Sequence, residues 1–205
     1  MNEAMIENGA ARIAAGTWLM GLAQPAACRG VSVQRTQKGF LVRDRALVKV
    51  VETSGEAWCA AADRPFLTHL TALPDDPLHL VSAKLLVAPQ ASKVGARAVK
   101  LVPMSLRRAT VATDFKLGWA VAATKSRVTR VSLADGETLT VRPEALVAWI
   151  GKDPTGFCPK LSVLDLLLPR GPKNLAYTFH GPATVWFEGA QTTFDLRRPT
   201  GGRIG

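Results

Sequence analysis

Three stretches of this chain share one pattern: an apolar strand, a four-residue break of polar or small residues, and then a Leu-Val pair. They are FLVRDRALVKV at 40–50, HLVSAKLLVAP at 79–89 and LTVRPEALVAW at 139–149. Val42, Val81 and Val141 align, as do Leu47, Leu86 and Leu146, each followed by a valine, Val48, Val87 or Val147. A strand–turn–strand unit of this size cannot bury its apolar face alone. Copies of it are expected to stack and share a core. The pattern therefore restricts the chain to a repeated β-architecture.

The remaining punctuation agrees. From about Val31, short runs of Val, Leu and Thr are separated by Gly, Pro, Asp and Asn at strand-and-turn spacing. Twelve of the 13 prolines lie beyond residue 60, which argues against long helices there because proline lacks the helical amide donor. Asp135-Gly136 predicts a turn between two apolar stretches. Leu175, Tyr177 and Phe179 share one strand face, Gly181-Pro182 turns the chain, and Val185 and Phe187 resume the alternation, which predicts a hairpin. Asp75-Asp76, set between Pro74 and Pro77, reads as an exposed turn.

The expected fold class is all-β, a sandwich of about three repeated β-modules preceded by a short N-terminal helix. That helix is expected over Glu3 to Ala15 with Asn2 as its N-cap. The predicted divisions are a helical or irregular segment at 1–30, a body at 31–194 with modules at 31–75, 76–130 and 131–194, and a basic flexible tail at 195–205. The length of 205 residues and an apolar share of 47% suit one sizeable core or a few small modules.

No apolar run reaches the roughly 18 residues that span a bilayer. Residues 13–28, after Arg12, faintly resemble a signal peptide, but Glu3 and Glu7 stand where positive charge belongs. The three cysteines, Cys28, Cys59 and Cys158, are odd in number and form no Cys-x-x-Cys pair. Neither a disulfide framework nor a zinc site is expected, and a reducing, cytoplasmic location fits.

Residues that carry chemistry are sparse. His69, His79 and His180 do not cluster as metal ligands do. Cys28, Cys59 and Cys158 sit in Ala-, Trp- or Pro-flanked contexts that suit buried thiols. The Gly-x-Ser-x-Gly elbow and the Gly-rich phosphate loops are absent. The reading is a protein that is not an enzyme and holds no cofactor or metal.

The charge is the exception. Lys and Arg total 26 against 16 Asp and Glu, a net +10. Between Lys84 and Arg130 lie ten basic residues and one acid, Asp114. Such a stretch suits a polyanion, and Lys93, Arg97, Lys100, Arg107 and Arg108 are the candidate contacts for nucleic acid. An anionic membrane surface is a further candidate partner.

Several residues together resemble a known family. Gly136-Glu137-Thr138-Leu139-Thr140-Val141, Leu146-Val147-Ala148-Trp149 and Gly181-Pro182-Ala183-Thr184-Val185-Trp186 occur in the order seen in the C-terminal third of the altered inheritance of mitochondria protein 24 family. The resemblance covers about 55 residues, and the chain resembles a shortened or diverged member. It implies three β-domains per chain, similar to the tryptophan RNA-binding attenuation protein. It also implies a homotrimeric ring and a role in binding a protein partner. It implies no catalytic residue. A regulator that binds nucleic acid is the alternative. Within this frame Trp149 is a candidate subunit contact.

Overall fold

The computed structural model describes residues 5–21, 26–37, 48–73, 75–100, 109–116, 118–157, 176–189 and 194–197. Among these the chain is all-β. Its only helical pieces are single three-residue 3-10 turns at Ser82–Lys84 and Gln90–Ser92.

The N-terminal helix is replaced by strands. β1 (Met5–Glu7) pairs antiparallel with β2 (Ala10–Ile13), and β3 (Gly16–Gly21) follows. Asn8 (φ 49°) and Gly9 (φ 74°) form the two-residue turn. Asn-Gly is a strong hairpin signal, because both turn positions need positive φ. It outweighs the helix preference of the surrounding alanines. Ala11 and Ile13 alternate into the core, as a half-buried strand requires.

The body then repeats a six-strand unit. The second module comprises β7 (Leu78–Val81), β8 (Leu85–Pro89), β9 (Lys93–Lys100), β10 (Ala109–Phe115), β11 (Trp119–Thr124) and β12 (Val128–Leu133). The third comprises β13 (Thr138–Val141), β14 (Leu146–Gly151), β15 (Thr155–Phe157), β16 (Ala176–His180), β17 (Ala183–Glu188) and β18 (Phe194–Arg197). The first begins at β3 and fuses its middle strands into β4 (Ala26–Gln37) and β5 (Val48–Ala61), ending with β6 (Phe66–Thr71). The β4–β5 register breaks around Gly30, between the Arg29↔Trp58 and Val31↔Thr53 pairs. Each of these two strands therefore does the work of two.

Sheet order exposes the repeat. One sheet runs β6-β11-β8-β3-β5-β4, with β2 and β1 added along β5; a second runs β12-β17-β14-β7-β10-β9. Position by position these are the same six-strand sheet. In each, the first strand of one module pairs with the second strand of the next, and the sixth pairs with the fifth of the next. Among the described residues the third sheet, β18-β13-β16-β15, repeats this order without the strands at its second and third places.

This topology corrects three sequence expectations. Trp18↔Pro89 in one sheet is matched by His79↔Trp149 in the next, so Trp18 is equivalent to His79 and Met20 to Val81 and Val141. The true first copy is β3, and the first module starts near Gly16 instead of residue 31. Of the 40–50 stretch, only Val48–Val50 lies within the described residues, and it occupies the fourth-strand place. The predicted 176–188 hairpin is a corner: β16 joins the third sheet and β17 the second. Its facing was read correctly, since Tyr177, Phe179, Val185 and Phe187 are buried in one cluster. Residues 194–197 form β18 on β13 and are not tail; residues 198–205 lie outside the described residues.

The cores explain the unbroken apolar runs. One cluster fills the space between the first two sheets and includes Leu19, Leu80, Leu85, Phe115 and Trp186. Another lies between the second and third sheets around Trp149, Tyr177 and Phe179. A third, with Trp18, Val51 and Trp119, is lined by strands of the first sheet alone. That sheet curls around its own face into a nearly closed barrel. β7, β8 and β14 have core on both faces, so their residues are apolar without alternation. Gly21 allows the close crossing of β3 over the β7–β8 corner: a Cβ there would lie 2.5 Å from the Leu85 carbonyl oxygen.

Candidate functional site

Most of the buried polar groups collect where the second and third modules meet. Lys84, on the β7–β8 corner, donates to the Glu188 carboxylate at the end of β17. Both side chains are buried. The other Glu188 oxygen accepts the backbone amides of Lys125 (2.7 Å) and Ser126 (3.3 Å), at the β11–β12 turn. One carboxylate thus ties two corners of the second module to the third. Arg64 donates to the Ala83 carbonyl at 2.6 Å, which places a second cation beside Lys84.

Burial, with Arg64 and Lys125 adding repulsion, lowers Lys84 from 10.5 to about 8. The unfolded chain keeps the higher value, so between these two pH values it binds more protons than the folded chain. Stability therefore rises with pH across that window, as the cost of the buried charge is relieved. Denaturant titrations at about pH 7.5 and 9.5 are expected to show this rise in the native chain and its loss in Lys84→Met. Equal pH slopes in the two proteins would contradict it. The range stops below 10 because burial raises the Tyr177 hydroxyl. That hydroxyl donates to the Val99 carbonyl at 3.0 Å.

A second, half-buried polar pair marks the same junction. His79 Nδ1 lies 2.8 Å from Asp114 Oδ1, and the His79 ring packs on Trp149 with centroids 5.2 Å apart. The equivalent cross-strand pairs are Trp18↔Val51 in the first module and Leu139↔Phe179 in the third. Two copies fill this place with apolar side chains, and the middle copy alone uses a hydrogen-bonding couple. Ser82 and Thr113 hydroxyls, 2.8 Å apart, extend the polar strip. None of these contacts was legible in the sequence. The partners stand 35 and 104 residues apart for His79–Asp114 and Lys84–Glu188.

Three of the five sequence-predicted polyanion residues fall within the described residues. Lys93, Arg97 and Lys100 lie on β9, the edge strand of the second sheet. Arg107 and Arg108 fall outside the described residues. Trp149, the candidate subunit contact, is fully buried; the corrected place for it is the core. Asp75 and Asp76 are exposed, as read.

The expectation that the cysteines stay free thiols is corrected at Cys59. Cys59 is disulfide-bonded, and the residue opposite it across the β4–β5 ladder is Cys28. The count of three concealed a cross-strand register match. With it goes the cysteine argument for a reducing compartment. No helix among the described residues is long and apolar enough to cross a membrane.

An open groove of about 350 Å³ lies where the β1–β2 turn meets the start of β6, lined by Ile6, Pro65, Phe66, Leu67, Arg127 and Val128. It marks the seam at which the ends of the curled first sheet approach each other.

No protein-family model and no curated protein matches the sequence. The fold does have a solved counterpart. The chain is similar to the X-ray crystal structure of the Streptococcus pyogenes protein SPYM3_0169, with a TM-score of 0.65 and 14% identity over 93% of each chain. At that identity the likeness speaks for the fold alone.

Proposed function

We propose that the protein is a non-enzymatic, homo-oligomeric binding scaffold, a diverged member of the altered inheritance of mitochondria protein 24 family. It assembles as a homotrimeric ring and presents its surfaces to a protein partner. The observation that supports this reading is the third sheet, which among the described residues has four strands and leaves the second and third places of the six-strand order unfilled.

The missing places are those of a second and a fifth strand. Within the chain, β8 and β11 fill them in the first sheet, and β14 and β17 in the second. The second and fifth strands of the first module are residues 26–29 of β4 and 57–61 of β5. They pair with each other, and among the described residues the outer edge of β4 has no partner strand. This two-strand arm fits between β13 and β18 of another copy. The joint would use the pairing already made twice inside the chain. Repeating one junction around a closed ring removes unpaired edges, which otherwise invite uncontrolled association.

In the isolated chain β18 folds onto β13 over four residue pairs, Thr138↔Arg197 to Val141↔Phe194. The corresponding junction strands, β6 on β11 and β12 on β17, each make six. The ring would exchange a short non-equivalent pairing for the longer repeated one. Light scattering on the full chain tests this, with a three-chain particle as the expected result.

A further inference from the structure

We propose that the N-terminal β1–β2 hairpin is a built-in stopper for ring assembly, occupying on β5 the place that β18 of a neighbouring copy must take. This inference rests on the ring reading above and names how that junction is controlled.

The module equivalences identify the place. At both internal junctions the sixth strand of one module lies on the fifth strand of the next: β6 on β11 and β12 on β17. The first module's fifth strand is residues 57–61 of β5, and β2 lies on it through Ala11↔Cys59, Arg12↔Trp58 and Ile13↔Ala57. β2 also runs directly into β3, as β6 runs into β7 and β12 into β13. It therefore stands in the place of a sixth strand while belonging to none of the three modules described. Among the described residues there are four sixth-type strands, β2, β6, β12 and β18, for three fifth-type strands. The surplus one is β18, which folds back on β13.

The hairpin is held more lightly than the strand it imitates. It makes three residue pairs with β5, half the six of either internal junction. Ala11 and Ile13 are buried against the core of the first sheet, whereas Met5 and Ile6 are exposed. Arg12 lies over the Trp58 ring at 5.9 Å and 3.8 Å from Glu56. A longer strand arriving with its own module can displace so short a pairing, by exchange of like for like.

Two full-length variants test this. Arg12→Cys with Trp58→Cys places a disulfide across facing residues and locks β2 on β5. It is expected to stay a monomer at concentrations where each single-cysteine variant forms three-chain particles. Gly9→Val strains the positive-φ turn and loosens the hairpin; it is expected to assemble at roughly tenfold lower concentration than the native chain. If the locked variant assembles as its single-cysteine controls do, the stopper is overturned and the ring stands. If neither the native chain nor Gly9→Val forms a three-chain particle, the ring reading itself falls.

Discussion

Glu188→Ala is expected to lower the unfolding free energy by about 3–5 kcal/mol, the cost of stripping one partner from a buried ion pair. The loss has two parts. Lys84 is left without its counter-charge in a buried corner beside Arg64 and Lys125. The Lys125 and Ser126 amides lose the acceptor that closes the β11–β12 turn. Because the carboxylate joins the third module to two corners of the second, the damage should appear at that junction. Lys84→Met with Glu188→Leu removes both charges together. It should be less destabilising than Glu188→Ala, since no bare charge remains. Equilibrium urea unfolding of the three proteins decides the matter. A cost below about 1 kcal/mol for Glu188→Ala would mean that the pair behaves like a surface salt bridge.

Trp149→Ala should be comparably damaging, at about 3–5 kcal/mol, because it empties the largest fully buried side chain from the core. Trp149 touches the His79 ring and lies 6.0 Å from Phe179, centroid to centroid. It therefore packs the second sheet onto the third. Its indole N–H has no hydrogen-bond partner among the described residues. Trp149→Phe discards that orphaned donor and keeps much of the volume. It is expected to retain most of the stability, with a loss of about 1 kcal/mol. A large loss in the phenylalanine variant would show that the indole nitrogen is bonded after all, for instance to a buried water.

The pattern of what could be read in the sequence has physical causes. The second and third repeats were legible because strands with core on both faces, such as Leu85–Ala88 and Leu146–Ile150, must be apolar without interruption. The first repeat was misplaced because FLVRDRALVKV copies the lettering of the others, whereas the structural equivalent runs from Trp18 through Met20. Lettering reports burial, and burial alone does not say which strand lies alongside. The Gly181-Pro182 turn was found but its consequence was not. A chain reverses with the same local chemistry whether the flanking strands pair or part to different sheets. Asn8-Gly9 was the overlooked signal, hidden among alanines. Lys84–Glu188 and His79–Asp114 arise from pairing between distant strands, and no local spacing encodes them. Cys28 and Cys59 stand opposite each other through strand register alone, which a cysteine count does not see.

The central claim is that the third sheet is completed by another copy of the chain. Sedimentation or light scattering of the full-length protein from about 1 to 100 µM measures this directly, because a self-assembling species grows in with concentration by mass action. The account predicts a closed particle of three chains, near 66 kDa or three times the 21.9 kDa chain, with no larger species beyond it. A strict monomer across that whole range, in the native chain and in Gly9→Val alike, would contradict it.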